Sequence, residues 1–153
     1  MSKTSRDRTI ATNRRARYDY EILETLEAGL VLTGTEIKSI RAGRVNLSDD
    51  HARPVGGEMW LYNAHIAVYA AGNVNNHEPK RPRKMLLRRD QITQLTKQVS
   101  ERGLTLVPLK LYIHRGYAKI ELAVARGKKR FDKRRAIIDR EREREAREVI
   151  RTH

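Results

Sequence analysis

The residues of this sequence that could do chemistry are its histidines, its carboxylates and its runs of Lys and Arg. The histidines, His51, His65, His77, His114 and His153, stand far apart. No two have the i, i+4 spacing that sets a pair of metal ligands on one helical face, and no HExxH occurs. They read as single surface or strand histidines. Asp49-Asp50, Glu36 and Glu27 are the acids that a metal-assisted nuclease would draw on. Such a site needs several acids converging on one ion, and the chain offers a turn-like pair and two isolated residues. There is no Cys, which removes thiolate ligands, thiol nucleophiles and disulfides. A Walker loop, GxGxxG and GxSxG are also missing. The chain therefore reads as a non-enzyme without metal or cofactor.

The basic runs carry the signal. Lys3, Arg6, Arg8, Arg14, Arg15 and Arg17 face a single acid, Asp7, at the start of the chain. Lys80, Arg81, Arg83, Lys84, Arg88 and Arg89 form a second cluster, and Lys128 to Arg135 a third. Over 153 residues, 33 Lys and Arg outnumber 19 Asp and Glu, a net charge of +14. One charged segment alone is usually a solvated one. Three of them on one chain point to a polyanion, and nucleic acid is the first candidate. Aromatics are only 5% of the chain, too few for base-by-base stacking along a single strand. Folded RNA, recognised through shape and phosphates, fits better. Tyr112, between Lys110 and Lys119, is the one candidate stacking platform, or else plain sheet filler.

The elements that must hold these residues are mostly short strands. Residues 1–17 read as a basic arm, ordered from about residue 10. Tyr18, Tyr20 and Ile22 alternate with acids as a half-buried strand. Ala28-Gly29 reads as a turn, and Leu30-Val31-Leu32 as a short buried strand. Ile37 and Ile40 predict a helix over 35–42 that stops at Gly43. Gly56-Gly57 joins strands 51–55 and 58–63 as a hairpin. His65–Tyr69 reads as a further strand, and 70–84 as a loop. Asp90 caps a helix over 90–102 with an Ile92, Leu95, Val99 stripe, ended by Gly103.

Arg115-Gly116 then closes a hairpin in which Leu109, Leu111 and Ile113 oppose Leu122, Ile120 and Ala118 on one face. Lys110–Glu121 and Tyr112–Lys119 fall on the other face, and Pro108 predicts an edge or a bulge. Glu27 shares the outward parity of Asp19 and Glu21. The fold class is mainly β with short α-helices: a small antiparallel closed barrel of the oligonucleotide-binding (OB) type over 18–126. A basic tail over 127–153, with apolar residues too sparse to dock it, is expected to turn helical on a partner. Mean hydropathy is −0.73 and Met1-Ser2-Lys3-Thr4 opens no apolar leader, so a cytoplasmic location is expected.

At the level of longer strings, the chain resembles the SsrA-binding protein family (small protein B, SmpB). The resemblance lies in Ile10-Ala11-Thr12-Asn13-Arg14-Arg15-Ala16-Arg17-Tyr18-Asp19-Tyr20 and in Glu27-Ala28-Gly29-Leu30-Val31-Leu32-Thr33-Gly34-Thr35-Glu36-Ile37-Lys38-Ser39-Ile40-Arg41-Ala42-Gly43. It continues through Arg83-Lys84-Met85-Leu86-Leu87, Gly103-Leu104-Thr105-Leu106-Val107-Pro108-Leu109-Lys110-Leu111-Tyr112 and Ala125-Arg126-Gly127-Lys128-Lys129, then Asp132-Lys133-Arg134. These strings occur in order over about residues 10–150.

The resemblance implies a bacterial RNA-binding adaptor for transfer-messenger RNA (tmRNA). The pair would enter the empty A site of a stalled ribosome and direct trans-translation, which frees the ribosome and tags the peptide. Alanyl-tRNA synthetase and elongation factor Tu are the implied co-workers, and the protein an implied monomer. By resemblance, Asn13, Glu27, Leu86 and Lys119 hold the elbow of the tRNA-like domain. Gly127, Lys128 and Lys129 meet ribosomal RNA. The tail becomes a helix in the message channel, with Phe131, Asp132, Lys133 and Arg134 at its start and Val149-Ile150 near its end. Phe131 departs from relatives that carry His or Tyr there; it can stack but cannot donate a hydrogen bond. Composition alone allows a generic ribosomal or RNA-chaperone module instead, which would bind many RNAs alike.

Overall fold

Residues 7–69, 76–128 and 130–152 are described by the computed structural model. The elements run β1 (Arg8–Thr12), α1 (Ala16–Asp19), β2 (Tyr20–Leu30), α2 (Gly34–Arg41), β3 (Val45–Asn46), β4 (His51–Val55), β5 (Glu58–Tyr62), β6 (His65–Ile66), β7 (Arg83–Leu86), α3 (Arg89–Arg102), β8 (Thr105–His114), β9 (Tyr117–Gly127) and α4 (Arg130–Thr152). The chain is mainly β with short helices. The main sheet has the order β1-β8-β4-β5-β7-β2-β9, and β8 also pairs with β9. All its pairings are antiparallel. β3 and β6 form a separate small ribbon.

Local turn chemistry sets the hairpins. Gly56 and Gly57 have φ of 60° and 79°, and Arg115 and Gly116 have 50° and 84°. These positive values at both central positions make the primed turns whose twist suits flanking strands. In the second hairpin Leu111↔Ile120, Ile113↔Ala118, Lys110↔Glu121 and Tyr112↔Lys119 pair as expected. Leu109 does not oppose Leu122. The register shifts between Pro108 and Lys110, so Pro108 faces Leu122. The bulge turns Leu109 to the other side of the sheet, where it joins Ala16, Val107, Ala123 and Ala125 in a second small core. The extra residue relieves the missing donor of Pro108.

The helices also start and stop for local reasons. Thr33 Oγ1 accepts from the Glu36 N–H, and Glu36 Oε1 accepts from the Thr33 N–H at 2.8 Å, a reciprocal cap for α2. α3 starts one residue earlier than expected. Arg88, not Asp90, precedes it, and the Arg88 N–H donates to Gln91 Oε1 at 2.9 Å. Gly103, with φ of 64°, ends it.

Five other expectations are corrected. The arm pairs with β8 from Arg8 onward, because Ile10 and Ala11 find the main core. α1 precedes β2, so the strand starts at Tyr20 rather than Tyr18. Ala28-Gly29 is no turn. β2 runs straight through it, pairing with β9 on one side and β7 on the other. Arg83 and Lys84 belong to β7 rather than to the 70–84 loop, of which 70–75 lie outside the described residues. The strand expected over 65–69 shrinks to His65–Ile66.

The main core gathers Ile40, Leu47, Met59, Leu61, Ile66, Met85, Leu95, Leu106, Leu111, Ile120, Leu122 and Val124. In β9 the period of two sends Ile120, Leu122 and Val124 into it, while Ala123 and Ala125 face the second core. Those two small side chains let α1 approach the sheet closely. α4 is helical from Arg130 to Thr152, as its strong helix formers favour. Its described side chains, from Arg134 and from 137–147, are exposed. No described helix is long and apolar enough to cross a membrane.

Candidate nucleic-acid interface

One row of residues crosses the sheet: Leu86 in β7, Gly29 in β2, Lys119 in β9, Tyr112 in β8 and Thr9 in β1 are successive register partners. The next row on the same face brings Glu27, Glu121 and Lys110 together. Cross-strand neighbours share a face, so Glu27, Leu86 and Lys119 form one outward patch. Gly29 has no side chain, and the Leu86 side chain lies over it. A Cβ there would lie 3.3 Å from the Leu86 Cβ. Leu86 is 52% exposed and, with Lys119, Ile37 and Tyr117, lines a hollow of about 260 Å³.

Glu27 is held but still available. The Tyr112 hydroxyl donates to Glu27 Oε2, and Lys119 Nζ lies 3.9 Å from Oε1. Burial, then the Glu27 carboxylate, push the Tyr112 phenol well above its ordinary range. Tyr112 is 7% exposed and serves as the prop of Glu27, not as a stacking platform. Lys110 Nζ lies 5.3 Å from its ring centre. The accessible aromatic beside this patch is Tyr117, 72% exposed just after the hairpin turn. Its place after Arg115-Gly116, at a hairpin tip, was the only sign of it in the sequence. The patch therefore offers an acceptor for base amino groups, cations for phosphates and an apolar surface for a ribose or base face.

Asn13 lies elsewhere. It is buried in the turn between β1 and α1, where its Nδ2 donates to Asp50 Oδ1 at 3.2 Å and to the Pro108 carbonyl at 3.3 Å. Its backbone N–H donates to the Leu109 carbonyl at 2.7 Å. With Asp50, Arg15 and Arg53 it lines a different hollow, of about 580 Å³. The structure thus unites Glu27, Leu86 and Lys119 and separates Asn13 from them.

Asp50 is no solvated turn residue either. Burial pushes its carboxyl up to about 8, against the Asn13 hydrogen bond, and Oδ2 has no hydrogen-bond partner among the described residues. The native state therefore holds the Asp50 proton more tightly than the unfolded chain does. Its stabilising contribution is complete below the unfolded value near 3.8 and is lost as pH rises through about 8. Asp50→Asn is expected to be the more stable form at pH 8. Its stability relative to wild type should climb by up to about 1.4 kcal/mol per pH unit between those values. Denaturant melts of both chains from pH 4 to 8 check this; parallel curves would refute it.

The basic cluster at 80–89 divides as well. Arg83 is fully buried, with Nε 2.5 Å from Glu36 Oε2 and Nη1 donating to the Ala64 carbonyl at 2.7 Å. Arg81 reaches the same carboxylate, Nη2 to Oε1 at 2.6 Å. Neither Arg83 nor Glu36 is open to a ligand, and Glu36 is no acid for catalysis. Among the described residues no group of three or more His, Asp or Glu is placed to hold a metal.

At the far end, Gly127 closes β9 opposite Tyr20. The Lys128 N–H donates to the Asp19 carbonyl at 2.9 Å, and its Nζ to the Arg17 carbonyl at 2.8 Å. Lys129 lies outside the described residues. Phe131, Asp132, Lys133, Val149 and Ile150 lie within α4, their side chains outside what is described, and Arg134 is exposed.

The family model described as SmpB protein matches residues 10–152. The SsrA-binding protein of Thermobifida fusca is 55% identical over 144 residues, 94% of this chain and 90% of that one. That of Ligilactobacillus salivarius is 49% identical over 154 residues, covering 100% of this chain and 99% of the relative. A solved structure described as "tmRNA-SmpB: a journey to the center of the bacterial ribosome" superposes with a TM-score of 0.65 at 51% identity, over 82% of this chain and 92% of that one. By sequence along nearly its whole length and by fold, this chain belongs to the SmpB protein family.

Proposed function

We propose that this chain is an RNA-binding adaptor that binds the tRNA-like domain of tmRNA and delivers it to stalled ribosomes for trans-translation. The observation that carries the reading is the outward patch in which Glu27, Lys119 and Leu86 stand side by side on β2, β9 and β7. Acids set among cations, with Glu27 opposite Glu121 and beside Lys119 on a chain of net charge +14, suit hydrogen-bond reading of a specific fold better than general attraction to phosphate. Relatives at about half identity that are named for SsrA binding support the same reading.

The finer features belong to this reading. In this reading the sheet closes as a barrel of OB type over 18–126, which is supported by pairings that run β8-β4-β5-β7-β2-β9 and by the further β8–β9 pairing. The N-terminal arm and the tail over 127–153 flank it. The adaptor is a monomer of the cytoplasm that performs no catalysis and works with alanyl-tRNA synthetase and elongation factor Tu. Asn13, the remaining residue that family resemblance assigns to the tRNA-like elbow, contributes by shaping the β1–α1 turn through Asp50 and Pro108. Lys128 and Lys129 approach ribosomal RNA, and the helical tail enters the empty message channel.

Glu27→Ala and Lys119→Ala are each expected to weaken binding to the tRNA-like domain about tenfold or more, as lost charge-assisted hydrogen bonds do. Their melting temperatures should stay near wild type, since both side chains are largely outside the core. Titration against tmRNA and against an equal-length unrelated structured RNA, at physiological salt with competitor, tests both affinity and selectivity. Unchanged affinity in both variants would remove the patch from the interface. Equal binding of the two RNAs by wild type would leave only a generic RNA-binding module.

A further inference from the structure

We propose that His114 is a positioning residue: by bonding Asp7 it closes the open half of β1 over Tyr112 and so keeps the Glu27 carboxylate in place for RNA, the contact of Glu27 with RNA being taken from the function proposed above. β1 is an edge strand whose ladder partner is β8. Its register shifts between Thr9 and Ala11, which divides it into two halves. The far half is anchored. Ile10 and Ala11 pack on the main core, and Asn13 just beyond them is buried. The near half, Arg8 and Thr9, is exposed and belongs to neither core. A short end of an edge strand without apolar contacts opens at little cost.

This loose half covers a residue on which the patch depends. Thr9 lies opposite Tyr112 and so shares its face, while Lys119 flanks Tyr112 from β9. The Tyr112 hydroxyl donates to Glu27 Oε2, and Lys119 Nζ stands 3.9 Å from Oε1. Two donors thus share one carboxylate. If the near half of β1 opens, the Tyr112 ring gains room to turn out. Glu27 then settles on Lys119, and each satisfies the other instead of the RNA.

The fastening sits one step along the ladder. Arg8 pairs with Ile113 and Thr9 with Tyr112, so Asp7 and His114 meet on the Tyr112 face. There His114 Nδ1 is hydrogen-bonded to Asp7 Oδ1. A carboxylate only accepts, so Nδ1 carries the proton, and a neutral ring is enough. Both side chains are partly buried, where a bond to a charged group counts for more than at an open surface. The Arg8 Nη2 also donates to the Arg41 carbonyl at 2.9 Å. That contact is exposed and lies on the opposite face of the strand, so it does not close the Tyr112 side.

Nitration by tetranitromethane reads the cover in the free, full-length chain. The reaction needs the phenolate, and burial, then Glu27, then Asp7 hold the Tyr112 phenol above its ordinary range. Tyr112 should therefore react slowly beside the exposed Tyr117. Cleavage after Lys110, Arg115 and Lys119 puts the two in separate tryptic peptides for mass spectrometry. His114→Ala is expected to raise Tyr112 nitration about tenfold, the change in local opening that one lost charge-assisted hydrogen bond gives. Tyr62 in β5 and the melting temperature should not change. His114→Asn, whose amide nitrogen falls near the place of Nδ1, should restore most of the protection. Affinity for tmRNA is then measured for His114→Ala alone and combined with Glu27→Ala. The single variant should lose about threefold, and the combination should bind no worse than Glu27→Ala, because His114 acts through that carboxylate. Unchanged Tyr112 nitration in His114→Ala overturns the proposal. So does nitration that rises at Tyr62 as well, which would mean general loosening. An equal affinity loss in both backgrounds overturns it too, since His114 would then meet the RNA itself. Equal affinity of wild type and Glu27→Ala would refute the proposed function instead, and the nitration result, which involves no RNA, would still decide whether His114 closes β1.

Discussion

Arg83→Ala is expected to destabilise the fold by about 3–5 kcal/mol, the cost of stranding one member of a buried ion pair. For a domain of this size that is a fall in melting temperature of roughly 10 °C or more. Arg83 and Glu36 are both fully buried, and three segments meet on them. Arg83 donates to Glu36, to the Ala64 carbonyl and to the Pro79 carbonyl, at 2.5, 2.7 and 2.9 Å. Glu36 also accepts from Arg81 and from the Thr33 cap. Burial alone would raise the Glu36 carboxyl, but the bonds from Arg81, Thr33 and Arg83 outweigh it and hold the group below its ordinary range. Its contribution is therefore present above about 4.5 and is lost as pH falls through the lowered value. The double variant Glu36→Gln with Arg83→Met should recover part of the loss, because it leaves no unpaired buried charge. Thermal melts of the single and double variants test this. A single variant within about 1 kcal/mol of wild type, the level of an exposed pair, would show that the network is not needed for stability.

That network also marks what the sequence could not show. Arg83 sits in a run of six cations and looks like its neighbours. Only its pairing with an acid 47 residues earlier takes it out of solvent, and long-range pairing leaves no local trace. By contrast, Gly56-Gly57, Arg115-Gly116, Gly43 and Gly103 act through their own backbone angles, and the elements they bound were legible. β1 was missed because Ile10-Ala11 is too short an apolar signal amid cations; it becomes a strand only where β8 receives it. The same event explains Tyr112. Its outward parity followed from the period of two, but Thr9 of β1 lies opposite it, so the position is covered. Glu27 and Lys119 were readable as outward because parity within each strand suffices, whereas their meeting needed the β2–β9 register. Asn13 shows the reverse case: family resemblance groups it with them, and the fold places it against Asp50.

Deleting residues 132–153 is expected to leave tmRNA binding nearly intact and to reduce peptide tagging to background. The first half follows from charge and packing. The deleted segment has eight Lys and Arg against six Asp and Glu, so it carries only +2 of the chain's +14. Its described side chains contribute to neither hydrophobic core and not to the Glu27–Lys119 patch. Melting temperature should therefore stay within about 2 °C of wild type, as for other changes outside a core. Affinity for tmRNA should fall by no more than about threefold, with a shallower salt dependence, because few phosphate contacts are lost.

The second half follows from how the tail is built. Arg140, Arg144 and Arg147 recur at i, i+4 and i+7 and so share one helical face. Like charges four apart weaken a helix in water by a few tenths of a kcal/mol per pair, and the Glu143–Arg147 pair at 3.7 Å is exposed and worth little. A row of RNA phosphates along that face would neutralise the repulsion, so the tail is most stable inside an RNA-lined channel. A channel filled by intact message excludes it, and an empty one admits it. On the proposed function, this would give the adaptor its means of telling a stalled ribosome from a working one, and truncation is expected to remove it. Tagging of a peptide on a non-stop message, in a reconstituted system with full-length and truncated protein at equal RNA occupancy, decides the matter. Tagging that survives truncation at that occupancy would show that recognition of the empty channel resides in the β domain instead.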